Sequence, residues 1–423
     1  MQGGLWNRFR RPVGWADGAP LVAGLLAFAA ITNRWLGWDG GFAYVQANDE
    51  RAYLTIADAF PGLPDQAVAD QHAQRWTVHW LIGALADLFG TSPETVYSWV
   101  AVLLAIAVGF ALAAVLIQLG VSLATAVLAL GVVLLSPYAF RFYAFAPGYL
   151  ADFVLELGLL VALLGMVRRS LAIVLVGVIL GTLGRQTMLV VVPVLSIWIV
   201  MAEGWRGDSR RRTWSAAAVV LIAPVVVYMV VKGVAADFSR EGFPLSRLTI
   251  LDTLMDLPGS ASDLVNHVGH TAIALIVVTA MLVATLTSIE LRRLPAEFWG
   301  SLAIGLVIVA QVLVLNPDPI FYDYSSTNEP RLAAMALPAL AVALAVGRAG
   351  VEQLSAAARD NAPALAVTGL ALLAIASLHQ KFTVPSTGSA AMTFALQVAV
   401  GLVLATTIYV GDRRLAGSRP LPD

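Results

Sequence analysis

Asp49 and Glu50 stand together in the stretch YVQANDERAYLTIADAF, Tyr44 to Phe60, in a chain otherwise rich in Ala, Val and Leu. A carboxylate held at the edge of an apolar region can take the proton of an acceptor hydroxyl, which is general-base chemistry. The same residues also suit the start of a helix, where Asn48 or Asp49 would cap backbone N–H groups. The two roles are compatible, because a helix N-terminus favours the charged form of a carboxylate. Ala52, Tyr53, Ile56, Ala57 and Phe60 recur on one helical face, so a short amphipathic helix is expected.

Three arginines could hold an anion. Arg75 lies in DQHAQRWTVHWLIG, Arg185 with Gln186 in GRQTMLVVVP, and Arg331 just after Glu329 in YDYSSTNEPRLAAMALP. A guanidinium is a planar, permanently charged fork suited to phosphate. Each also has a plainer role, snorkelling to water from an apolar helix end or anchoring it beside a carboxylate. Asp152 follows FRFYAFAPGYL and opens an apolar run, where a carboxylate facing lipid is costly. Tyr53, His72, Gln186, Tyr322 and Glu329 lie beside these groups as candidate contacts to a sugar or an acceptor. His72 and His79 are too loosely spaced to make a metal site, and the chain has no cysteine, which removes thiolate ligands and nucleophiles. No metal is expected.

The elements that must position these residues follow from composition. The 423 residues are 59% hydrophobic and only 13% charged, against about 25% charged in soluble domains, so the chain belongs in a membrane. The net charge of -1 gives no sign of nucleic acid. Apolar runs of the length a span requires lie near 18–36, 95–118, 121–137, 149–166, 170–184, 187–203, 214–232, 268–289, 298–316, 331–348, 362–379 and 391–410. The expected fold is therefore all-α, a polytopic membrane protein with about twelve transmembrane helices. The run from Leu21 has no small-residue cleavage site after it and reads as a retained first span.

Arginine-rich segments at WNRFRR, MVRRS, GWRGDSRRR, ELRRL, VGRAG and GDRRL all fall on one side of a twelve-span chain, which the positive-inside tendency makes cytoplasmic, with both termini there. The opposite side receives the longer loops and all five histidines. Fourteen residues, TVHWLIGALADLFG, are too short to cross and carry Leu81, Ala84, Leu85 and Leu88 on one face, which suits a helix lying in the interface. Thr91 to Glu94, TSPE, supply a cap and a helix-start proline for the next span. The expected organisation is one transmembrane domain over 1–423, a first extracytoplasmic loop over 37–94 with interfacial helices, and no separate soluble domain.

NDERAYLTIADAF followed by HAQRWTVHWLIGALADLFG resembles the first external loop of GT-C glycosyltransferases, polytopic membrane enzymes that use polyprenyl-phosphate sugars. GRQTMLVVVP and NEPRLAAMALPALA are similar to later segments of that family. The resemblance implies a glycosyltransferase moving a hexosyl or pentosyl group from a polyprenyl-phosphate donor to a lipid or glycan acceptor. It implies Asp49, with Glu50, as base or acceptor-orienting group, Asp152 as a second acidic residue, and Arg75, Arg185 and Arg331 on the donor phosphate. No cofactor is required, and a divalent metal is not demanded. The Ala/Val/Leu-rich composition associates with a GC-rich bacterium, so the expected setting is the bacterial cytoplasmic (inner) membrane, with the active site on the extracytoplasmic face. A multispan transporter or flippase and a glycan polymerase or ligase of similar architecture stand as alternatives.

Overall fold

The computed structural model describes residues 7–35, 48–138, 140–141, 146–202, 210–240, 268–269, 271–315, 328–378 and 390–414, without the side chains of 48–50, 314–315, 328–329, 390–391 and 414. The described residues form helices almost throughout. In chain order these are α1 (Trp15–Trp35), α2 (Asn48–Asp58), α3 (Asp70–Ala73), α4 (Trp76–Phe89), α5 (Pro93–Gln118), α6 (Leu123–Leu134), α7 (Leu150–Arg168), α8 (Leu171–Gly184), α9 (Met188–Met201), α10 (Arg210–Ala235), α11 (Ile276–Leu286), α12 (Ala296–Leu315), α13 (Asn328–Ala334), α14 (Leu337–Leu354), α15 (Ala356–Ser377) and α16 (Ala390–Arg414). Single 3-10 turns at Pro147–Tyr149 and Leu291–Arg293 precede α7 and α12. Among the described residues eight helices are long and apolar enough to cross a membrane, as in an all-α membrane protein.

Each of the twelve apolar runs coincides with a helix. Eight are of spanning length, and the other four (α6, α8, α9 and α11) are apolar helices of 11 to 14 residues. At 1.5 Å per residue the shorter ones rise about 17–21 Å, less than a hydrocarbon core of about 30 Å.

The segment between α1 and α5 folds as the residue pattern requires. In α2 the face of Tyr53, Ile56 and Ala57 is buried. α4 buries Val78, His79, Ile82, Gly83 and Ala86, while Leu81 and Leu88, on the stripe read from the sequence, are exposed. The protein-facing side of α4 is thus the other one. α2 crosses α4 at Gly83, where a β-carbon would lie 2.1 Å from the Ala57 carbonyl oxygen. Ser92 caps α5 by accepting from the Thr95 N–H at 3.4 Å, with Pro93 in the first turn. A two-residue parallel pairing, Val68–Ala69 with Ser239–Arg240, and a bond from Trp76 Nε1 to the Val231 carbonyl (3.1 Å) tie this segment to the end of α10.

The tightest packing in the bundle is the α7–α8 hairpin. Arg169, at φ 55°, closes α7, and the Ser170 N–H returns to the Gly165 carbonyl at 2.9 Å, so α8 turns back after a two-residue connection. The two helices then meet backbone to backbone. A β-carbon on Gly158 would lie 2.3 Å from the Gly181 nitrogen, and one on Gly184 would lie 2.6 Å from the Ala151 carbonyl oxygen. Such small residues let helices approach where lipid gives no hydrophobic incentive to associate.

One end of the bundle carries Arg10, Arg168, Arg348 and their partners. Arg168 reaches Gln118, Pro12 bridges to Ser122, Thr125 donates to Glu352, Arg348 pairs with Asp412, and Arg10 pairs with Asp360. The opposite end of the hairpin carries Asp152 and Arg185.

Gly158→Val is expected to destabilise the protein by about 1–3 kcal/mol or more, because the intruding methyl groups meet backbone that cannot yield. Gly24→Ala in α1, where nothing lies within 4 Å of the added carbon, serves as the control, and thermal melts of the two purified variants in detergent make the comparison.

Candidate functional site

The site is built where the first turn of α7, the α8–α9 turn, α13 and the segment around α2 to α4 meet. Asp152, 1% exposed, sits in the first turn of α7. Because Gly184 lies against Ala151 and Leu155, the next residue, Arg185, falls beside Asp152, and its Nη1 makes an ion pair with Oδ1. Arg331 of α13 brings Nη1 to 3.6 Å from Oδ2 of the same carboxylate. The Arg331 guanidinium also lies 4.1 Å from the centre of the Tyr149 ring, a cation–π geometry.

Arg75 enters from the turn before α4. Its Nη1 donates to the Tyr53 hydroxyl at 2.6 Å, and it is close enough that its charge acts on both Asp152 and Arg185. Arg75, Arg185 and Arg331 are 9%, 8% and 5% exposed, so three guanidinium groups are removed from bulk water together. The one carboxylate in ion-pair contact with them among the described residues is Asp152. Charges buried at this depth are functional or closely paired.

Aromatic residues hold Tyr53 and thereby Arg75. The Tyr53 ring stacks on His79 at 3.9 Å and 15°, and meets His72 edge-on at 5.3 Å. The Tyr97 hydroxyl donates to the Tyr53 carbonyl at 3.3 Å and lies 2.7 Å from His79 Nδ1. Which of the two donates across the His79–Tyr97 contact depends on the imidazole tautomer. Burial, then the nearby charge of Arg75 and then His72, pushes His79 well below its ordinary 6.5. A second polar chain runs along the edge of the site. Gln186 donates to Gln74 at 2.6 Å, and Gln74 donates to Asp70 at 2.6 Å. Tyr228 of α10 also donates to Gln74, at 3.4 Å.

The residues singled out from sequence therefore divide in two. Arg75, Arg185, Arg331, Asp152, Tyr53, His72 and Gln186 are drawn into one neighbourhood. Asp49 and Glu50 stand in the first turn of α2 and Glu329 in α13, but their side chains lie outside the described residues, as does Tyr322. Among the described residues no three His, Asp or Glu side chains come together as a metal set. Sequence reasoning missed Glu156, Tyr149, Tyr97 and Gln74 as members of this neighbourhood. Glu156 alone had a readable signal, since its spacing of four from Asp152 sets both acids on one helical face within an apolar run.

The neutral His79 gives a pH dependence with a definite sign. The unfolded chain takes a proton on this residue near the ordinary 6.5, while the folded chain does so only at a lower pH. Its contribution is fully present above about pH 6.5 and is lost as pH falls toward the folded value. The melting temperature should therefore drop from neutral pH to about pH 5, and drop less in His79→Gln, as followed by thermal unfolding in a non-ionic detergent.

Comparison of the chain with protein-family models, with curated proteins and with solved structures gives no match.

Proposed function

We propose that this protein is a GT-C-type membrane glycosyltransferase that moves a sugar from a polyprenyl-phosphate donor to a lipid or glycan acceptor. The observation that carries the reading is the convergence of Arg75, Arg185 and Arg331 around Asp152 at the end of the bundle away from the basic cluster. In this reading the twelve apolar runs of the sequence, which extend past the ends of the short helices α6, α8, α9 and α11, all cross the membrane, so that end faces the extracytoplasmic side of a bacterial cytoplasmic membrane, with both termini cytoplasmic.

The charge count suits the reaction. A polyprenyl-phosphate sugar is a phosphodiester with one negative charge. The acceptor oxygen attacks the anomeric carbon, and the bond from that carbon to the phosphoryl oxygen breaks. The electron pair leaves with the polyprenyl phosphate, which gains a second negative charge, and the acceptor proton passes to Asp49. Guanidinium groups on the phosphate interact more strongly with the departing dianion than with the bound monoanion. Interactions that strengthen as charge develops lower the barrier. Direct displacement inverts the anomeric centre.

A transporter or flippase is the second reading. Buried arginine–aspartate pairs stand at both ends of the bundle, Arg185 with Asp152 and Arg348 with Asp412, as two alternating gates would require.

One experiment separates the two. Purified protein in nanodiscs receives a panel of polyprenyl-phosphate sugars, and release of polyprenyl phosphate is followed. Donor-dependent release is expected, with Asp49→Asn slower by about 10²–10⁴-fold, the range for loss of a general base, at an unchanged melting temperature. Full activity in that variant removes Asp49 from the chemistry. No release with any donor, together with uptake of a lipid-linked sugar into proteoliposomes, overturns the enzyme reading in favour of transport.

A further inference from the structure

The α8–α9 turn and the turn before α4 meet twice, side by side. Arg185 pairs with Asp152, and Arg75 is near enough for its charge to act on both. The residues next to them in the chain, Gln186 and Gln74, meet directly, with Gln186 Nε2 donating to Gln74 Oε1 at 2.6 Å. The two arginines are buried, whereas Gln186, Gln74 and Asp70 are half-buried. The amide pair is therefore the outer rim of the arginine site.

The polarity of this rim is set from one end. A carboxylate accepts hydrogen bonds and donates none, whereas a primary amide has one end of each kind. Asp70 opens α3, and the Gln74 backbone N–H returns to its carbonyl at 3.0 Å, so the two side chains lie one turn apart. At 2.6 Å from the carboxylate, Gln74 must present Nε2 to Asp70, which turns its Oε1 toward Gln186. Tyr228 of α10 favours the same orientation by donating to Gln74 Oε1 at 3.4 Å. Gln186 can meet that oxygen only with its own Nε2. This is the one side-chain hydrogen bond of Gln186 among the described residues, and its Oε1 is not sealed away in protein. Groups from α3 and α10 thus orient one acceptor, which stands at the rim one residue from Arg185.

An amide oxygen held this way selects a donor. It repels a phosphoryl oxygen, which offers only lone pairs, and it receives a hydroxyl. We propose that Gln186 is a specificity-determining residue whose Oε1 accepts a hydrogen bond from a sugar hydroxyl of the donor, with Gln74 and Asp70 as positioning residues that act through it. This rests on the glycosyltransferase reading above and adds to it the group that reads the sugar rather than the lipid phosphate. Consecutive Cα atoms are about 3.8 Å apart, so a phosphate beside Arg185 leaves its sugar within the reach of Gln186.

The test uses the full chain in nanodiscs. Binding of farnesyl-phosphate hexoses and pentoses is compared with binding of farnesyl methyl phosphate, the same kind of diester without a sugar. Wild type, Gln186→Leu, Gln74→Leu and the double variant are measured, and melting temperatures check that each is folded. For the sugar that wild type binds most tightly, Gln186→Leu is expected to weaken binding about three- to tenfold, the worth of one hydrogen bond, and to leave farnesyl methyl phosphate unchanged. One monodeoxy analogue of that sugar is expected to bind wild type and Gln186→Leu equally, because it lacks the hydroxyl that Oε1 receives. Gln74→Leu is expected to weaken only the sugar-bearing ligand, and the double variant no further than Gln186→Leu; additive losses overturn the positioning role of Gln74. Equal weakening of both kinds of ligand in Gln186→Leu, or weakening of neither, overturns the proposal, as does a loss that no deoxy analogue reproduces. If wild type transfers sugar while Gln186→Leu binds every ligand as wild type does, this inference falls and the glycosyltransferase stands. If the Gln186 effect is found without any sugar transfer, the contact stands and the glycosyltransferase falls. A wild type that binds no farnesyl-phosphate sugar overturns both.

Discussion

The close approach of α7 to α8 is the contact on which the site depends. Without side chains at Gly158, Gly177 and Gly184 the two backbones touch, and the register of that contact decides which residue follows the end of α8 beside the start of α7. It is Arg185 beside Asp152. A hairpin with larger residues at these positions would separate the helices and leave an aspartate and an arginine each buried in apolar surroundings without the other, which is several kcal/mol unfavourable. The same short hairpin holds Arg168 and Arg169 at its far end, so one packing decision sets the polarity of the bundle as well as the chemistry of the site.

The two ends of the bundle spend buried charge in different ways. At the basic end Arg348 faces Asp412 in a bidentate pair, and Glu352 is tied to Thr125; the charges cancel, and the cluster reads as a lock among α14, α16 and α6. At the other end Arg75, Arg185 and Arg331 share one aspartate. Tyr149 lies under Arg331 and the Tyr53 hydroxyl accepts from Arg75, which fixes these cations in place. Fixed cations in a medium of low dielectric interact with an anion far more strongly than the same groups in water. Positioned donors need not reorganise as charge develops on a leaving group.

Much of the framework was legible in the residues themselves. Each long apolar run became a helix because an apolar stretch of that length can satisfy its backbone in lipid only by forming one. The three arginines stood out by type, since a guanidinium next to such a run is costly unless it has work or a partner. The helix at Asn48–Asp58 and the proline at the start of α5 followed from local chemistry. What was not legible arises from contacts across long separations. Tyr97 meets the Tyr53 backbone 44 residues away, and Gln186 meets Gln74 at a separation of 112; neither pairing leaves a periodic trace. The exposed stripe on α4 was read correctly as apolar, but its sequence is silent on which face meets protein, because in a membrane both faces can be apolar. Glu156, by contrast, was legible four residues from Asp152 within an apolar run, and it was passed over because Asp152 by itself accounts for a polar end to the span.

Asp152 and Glu156 show how differently one helix face can treat two acids. Both belong to α7, and four residues separate them. Asp152 is paired with Arg185 and Arg331, whereas Glu156 is fully buried and neither of its carboxyl oxygens has a hydrogen-bond partner among the described residues. A carboxylate beside guanidinium groups is compensated for leaving water, and one surrounded by apolar side chains is not. The difference follows from the hairpin, because the register that sets Arg185 beside Asp152 at the end of α8 leaves only uncharged residues of α8 to meet the next turn of α7.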